Sequence, residues 1–112
     1  MELRFEKKQD VLIIRMYGEL DHHTCEEVRN KLDDRIEREK VKKVILDFRA
    51  ITFMDSSGIG VIIGRYKKIN QSGGKICVAE ATGTVEKVFM LSGMNKIIDI
   101  YTTVDNALEK LS

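Results

Sequence analysis

Residues 41–48, VKKVILDF, carry an apolar core at Val44, Ile45 and Leu46 that does not alternate with polar residues. A strand with one solvated face alternates, so this continuous core predicts a strand covered on both faces of its sheet. Such coverage needs helices, and the neighbouring sequence supplies them. Upstream, Cys25, Val28, Leu32 and Ile36 recur at three- and four-residue steps between charged residues, which describes a helix with one buried stripe. Thr24 followed by Glu27 predicts a capping box at its start, with Asp21 as the alternative cap one turn earlier. Downstream, Ile59, Ile62, Ile63, Tyr66 and Ile69 share one face of a helix predicted over Ser57–Gln71, and Gly73-Gly74 stop it.

The same pattern extends to both ends of the chain. Glu2–Glu6 alternates polar and apolar residues, and the polar break Lys7–Asp10 separates it from VLIIRMY, Val11–Tyr17, which predicts two strands joined by a tight turn. KICVA, Lys75–Ala79, reads as another buried strand. Val85, Val88 and Phe89 mark a helix ending near Gly93, IIDIY, Ile97–Tyr101, a short last strand, and Val104, Ala107, Leu108 and Leu111 a closing helix. The expected order is ββαβαβαβα, an α/β fold with about four helices on a small, mixed, mostly parallel sheet whose first pair is antiparallel. With no proline and no linker-like stretch, residues 1–112 read as a single domain, long enough to bury roughly two thirds of its unfolded surface.

An apolar content of 43%, a charged content of 33% and a formal net charge of +1 predict no global attraction to nucleic acid or to a membrane surface. The start, MELRFEKKQD, is charged and lacks an apolar leader core, and no run approaches the ~18 apolar residues of a span, so a cytoplasmic protein is expected. Cys25 and Cys77 lack metal-like spacing and read as reduced, partly buried thiols.

Functional residues of open α/β sheets collect in loops at the carboxyl ends of strands. Two such loops stand out: GELDHHT, Gly18–Thr24, and TFMDSSG, Thr52–Gly58. Gly58, Gly60 and Gly64 imitate a dinucleotide fingerprint, but at GxGxxxG spacing, and helix packing accounts for them more simply. SGGK, Ser72–Lys75, lacks the remaining residues of a Walker loop and precedes a strand. His22 and His23 lack a third metal ligand and read as solvated or capping residues. Asp55-Ser56-Ser57-Gly58 is not the GxSxG elbow of a serine hydrolase. No cofactor is expected.

One helix cap explains one polar residue of Asp55-Ser56-Ser57, not three. Phe53, Met54, Gly58 and Ile59 beside them suggest an apolar docking patch around a polar tip. A serine at a helix mouth also suits a phosphate, because free amides and the positive helix end would stabilise the charge. A partner packed there would have to bury roughly −1.5 to −2 charges beside Asp55, so one hydroxyl could switch binding.

GELDHHT together with FMDSSGIGVIIGRYKKI, Phe53–Ile69, resembles the sporulation anti-sigma factor antagonists of the STAS domain family, and the likeness extends through GGKICV, Gly73–Val78, and LSGMNKII, Leu91–Ile98. The resemblance implies a non-enzymatic regulator that binds an anti-sigma factor which is also an ATP-using serine kinase, thereby freeing a sporulation sigma factor. It implies phosphorylation of Ser56 by that kinase and reversal by a metal-dependent serine phosphatase. Asp55, Ser57, Gly58 and Ile59 would surround the phosphoacceptor, and Glu19 and Asp21 would face the partner. The choice of Ser56 over Ser57 comes from the resemblance alone. The rival readings are an antagonist in a general stress pathway, a nucleotide-binding module at Gly58–Gly64, and a hydrolase built on either serine.

Overall fold

The computed structural model describes residues 1–111. Its strands are β1 (Glu2–Lys8), β2 (Val11–Leu20), β3 (Lys43–Asp47), β4 (Ile51–Met54), β5 (Lys75–Ala79) and β6 (Asp99–Tyr101). The helices are α1 (Cys25–Glu39), α2 (Ser56–Gln71), α3 (Gly83–Leu91) and α4 (Val104–Leu111), with one 3-10 turn at Met94–Lys96. The order is therefore ββαββαβαβα. It adds β4, a strand inside what the sequence pattern presented as a loop, to the order expected above. Only Ile51 and Met54 of this strand are buried while Thr52 and Phe53 are exposed, so it shows neither alternation nor a continuous apolar run.

The sheet runs β1-β2-β3-β5-β6. β1 and β2 are antiparallel, and the remaining pairs are parallel. β3 pairs with β2 only from Val11↔Lys43 to Arg15↔Asp47. β4 then takes up the end of β2, from Gly18↔Ile51 to Leu20↔Met54, with a register shift between Gly18 and Glu19.

Both faces of the sheet are covered, as the unbroken Val44–Leu46 core predicts. Leu12, Ile14, Met16, Val44 and Leu46 pack with Val28 and Leu32 of α1, Ile62 of α2 and Phe89 of α3. On the opposite face, Val11, Ile13, Ile45, Cys77 and Ala79 meet Val104, Ala107 and Leu111 of α4. Eight residues are too few for a helix to persist alone in water, so α4 depends on this apolar contact. Glu80 adds a cap, accepting the Val104 amide at 3.0 Å. No helix among the described residues is long and apolar enough to cross a membrane.

The two cysteines are free and differ in setting. Cys25 is half-buried at the start of α1, whereas Cys77 sits under α4. Burial pushes the Cys77 thiol up to about 12, and the charge of Asp99 adds to the rise. A thiol reagent at about pH 8 is therefore expected to modify Cys25 in the folded protein and Cys77 only after denaturation, because the thiolate is the reactive species. Equal labelling rates for both thiols under native conditions would overturn this placement.

Candidate functional site

The register of β2 with β4 brings the two conspicuous loops together. Glu19 lies opposite Phe53 and Leu20 opposite Met54, so both segments leave the sheet side by side. The Asp55 amide approaches the Leu20 carbonyl at 3.4 Å, a long contact that continues the pairing by one residue. Part of each predicted loop is thus strand, and this parallel pairing is what the sequence pattern did not reveal.

Asp55 is the junction. Its backbone is extended, as a residue preceding a helix requires, and its Oδ1 accepts the amides of Ser57 at 2.9 Å and Gly58 at 3.2 Å. Its Oδ2 accepts the His22 amide from the other loop at 3.3 Å. The Ile59 amide goes to the Asp55 carbonyl at 3.1 Å. The amides expected to be free for a phosphate are therefore largely committed to Asp55. Ser56, the first residue of α2, is exposed, and its hydroxyl makes no hydrogen bond among the described residues. Ser57 is half-buried. Exposure separates two hydroxyls that composition and spacing leave equivalent.

The β2–α1 loop is capped by Asp21 and not by a Thr24–Glu27 box. Asp21 Oδ1 accepts the amides of His23 at 2.9 Å and Thr24 at 3.1 Å. Thr24 makes no cap bond because its hydroxyl is used within the loop, donating to the Glu19 carbonyl at 2.9 Å. Desolvation alone would raise the Asp21 carboxyl, but the Thr24 and His23 amides outweigh it and hold it below the usual carboxylate range. Glu19 is exposed, and His22 and His23 stand edge to face at 5.9 Å beside it. No group of three or more metal-ligating side chains occurs among the described residues.

The apolar residues expected in a docking patch divide into two sets. Phe53 is 49% exposed, whereas Met54 is buried and Ile59 is only 9% exposed, both within the main core. Gly58 is buried as well: a Cβ there would stand 2.5 Å from the Leu20 carbonyl oxygen and 2.9 Å from side-chain atoms of Leu20 and Met54. Gly58 and Ile59 thus seat α2 on the sheet beneath the surface, and Glu19, Phe53 and Ser56 form its exposed part. Packing explains Gly58 but not Gly60 or Gly64, where a Cβ would meet nothing within 4 Å. Because Asp55 fills the helix mouth and Gly58 lies against β2, these glycines do not form a pyrophosphate cradle.

A family model described as the STAS domain matches residues 2–107. The chain is 43% identical, over 99% of its length and 95% of the relative's, to the anti-sigma F factor antagonist of Paenibacillus polymyxa. A crystal structure from Thermotoga maritima superposes with a TM-score of 0.92 at 26% identity, covering 97% of this chain and 93% of that one. The Bacillus cell fate determinant SpoIIAA, solved in its phosphorylated form, gives a TM-score of 0.75 at 30% identity over 99% of this chain and 100% of that one.

The glycine geometry makes opposed predictions for two positions two residues apart. Gly58→Ala is expected to destabilise the fold by about 1–3 kcal/mol through overpacking against Leu20. Gly60→Ala, on open helix surface, should stabilise it by roughly 0.5–1 kcal/mol. Urea denaturation of both variants checks this, and equal effects at the two sites would contradict the packing described.

Proposed function

The chain belongs to the STAS domain family and is an anti-sigma factor antagonist; on that premise we propose that its unphosphorylated form binds an anti-sigma factor that is also a serine kinase, releases a sporulation sigma factor, and is inactivated by phosphorylation of Ser56. Proteins of this class are non-enzymatic regulators. The observation that carries the reading is an exposed Ser56 hydroxyl, free of hydrogen bonds among the described residues, on the first turn of a helix fixed by Asp55. The 43% identity to an anti-sigma F factor antagonist supports the sporulation branch over the general stress one.

In this reading Glu19, Asp21 and Asp55 present carboxylates around Ser56, and basic groups on the kinase meet them. Phosphorylation forms a bond from Ser56 Oγ to the γ-phosphorus of ATP, releases ADP, and passes the hydroxyl proton to a base on the kinase. The product adds roughly −1.5 to −2 charges beside Asp55, whose carboxylate already holds the Ser57 and Gly58 amides. With those two donors committed, the added charge disfavours a packed partner by desolvation and like-charge repulsion. A metal-dependent phosphatase restores the serine by hydrolysing the phosphate ester. The exchange takes place in the cytoplasm, without nucleic acid or membrane.

Intact-mass measurement after incubation with the cognate anti-sigma kinase and ATP tests the acceptor. One phosphate on the parent protein and on Ser57→Ala, with none on Ser56→Ala, is expected; a phosphate retained by Ser56→Ala refutes the assignment. Ser56→Asp should weaken kinase binding by about 2–5 kcal/mol, on the order of tens to thousands-fold in Kd, and unchanged affinity would place Ser56 outside the interface. Titrating sporulation and stress-pathway kinases in parallel assigns the branch, with tighter binding to the sporulation kinase expected.

A further inference from the structure

The opposite end of α2 carries a second concave site that the switch at Ser56 does not use. A cleft of about 410 Å³ opens between α1, α2 and the α1–β3 connection. Ile36, Val41 and Ile69 give it an apolar lining, and Arg65, Lys68, Lys40 and Lys42 bring four cations to it. Two carboxylates, Asp33 and Glu37, accompany them.

Arg65 is the unusual member. It is 6% exposed, and its Nε and Nη1 are sealed from solvent without a hydrogen-bond partner. The Nε does lie 2.8 Å from Asp33 Oδ1, a charge contact without the alignment of a hydrogen bond. Asp33 is shared, since its Oδ2 also takes Lys68 Nζ at 3.2 Å. One carboxylate therefore serves two cations, and a guanidinium with five donors is left mostly unanswered. Burial pulls the Arg65 guanidinium below its ordinary value against the pull of Asp33, and the nearby charge of Arg29 pulls the same way. Lys40 and Lys42 have no carboxylate within ion-pair distance among the described residues. The carbonyl ends of α1 and α2 reach the same region, but each amounts to about half a charge. The Lys40 amide already answers Glu37 O, and the Ser72 hydroxyl answers Ile69 O.

We propose that this cleft binds a small amphipathic anion, a phosphate or carboxylate head on a short apolar body, with the head against Arg65 and Lys68 and the body over Ile36, Val41 and Ile69. Such a head supplies an acceptor to the part of the Arg65 side chain that lines the cleft and a counter-charge to its guanidinium. The apolar body distinguishes this ligand from a bare inorganic ion. The site is independent of the reading of Ser56.

Calorimetric titration of the full chain with octyl phosphate, inorganic phosphate and octanol tests the inference. Octyl phosphate is expected to saturate one site, and each of the other two to bind at least about ten-fold more weakly, since one lacks the body and the other the charge. Lys42→Glu, at the exposed rim, should weaken octyl phosphate about ten-fold, whereas Asp33→Asn, by removing the competing carboxylate, should tighten it. Opposite signs at two positions in one cleft would not arise from a general loss of structure. If Asp33→Asn fails to fold, Lys40→Glu replaces it at the rim and is expected to weaken binding. Octyl phosphate binding no tighter than octanol, or binding that the rim variants leave unchanged, overturns the proposal.

Discussion

Strand β2 is engaged along its whole length, and the arrangement of the molecule follows from how its backbone is satisfied. Buried amides and carbonyls must be paired, and β3 answers β2 only as far as Arg15. The last residues of β2, through the fully buried Leu20, need another partner, which β4 provides. That substitution of one strand for another within a single sheet sets Met54 beside Leu20. It leaves Asp55 in position to reach His22 on one side and the first turn of α2 on the other. The close approach of Gly58 to the Leu20 carbonyl then fixes where α2 begins. The exposed serine is a consequence of strand pairing that ends two residues before it.

Where several residues repeat one spacing, the sequence was legible. The four helices carry such repeats, five of the six strands carry alternation or an apolar run, and the non-alternating Val44–Leu46 core correctly indicated cover on both sheet faces. Legibility failed where a position is decided by a neighbour distant in sequence. β4 has four residues, two in and two out, and becomes a strand only because β2 lacks a partner there. Thr24 and Glu27 have capping-box spacing, yet the Thr24 hydroxyl is diverted to Glu19 by the fold of the loop. Met54, Ile59 and Phe53 are all apolar residues near the serines, and nothing local to them states that only Phe53 faces out. The spacing of Gly58, Gly60 and Gly64 does not reveal which one is pressed against a carbonyl.

The candidate site was legible as a pair of loops more than as a mechanism. Acidic and hydroxyl residues clustered at two strand ends singled out these loops, which the β2–β4 pairing sets side by side, and Asp21 as the earlier cap was among the sequence alternatives. What the sequence could not supply was the division of labour between adjacent groups. Asp55 binds three amides from two segments, Ser57 is half-buried and Ser56 is exposed, so exposure alone separates two hydroxyls neither of which makes a hydrogen bond among the described residues. A resemblance can nominate Ser56, but the geometry gives a physical reason for preferring it.

The two ends of α2 have opposite electrostatic character, and this bears on how a switch at Ser56 would act. Glu19, Asp21 and Asp55 gather at the amino end, while Arg65 and Lys68 lie nine and twelve residues on, roughly 14–18 Å along the axis. A ligand changes a conformational equilibrium only by interacting differently with its two states. The helix is packed along Ile59, Ile62 and Ile69, and its first turn is pinned by Asp55, leaving no second arrangement of this end in view. A phosphate at Ser56 would therefore act on the partner directly, by adding charge to an already acidic rim. Its reach is limited by screening, with a Debye length of about 8–10 Å at ordinary ionic strength, which is shorter than the distance to Arg65. Occupation of the α1–α2 cleft and phosphorylation of Ser56 should accordingly be nearly independent events on one rigid helix.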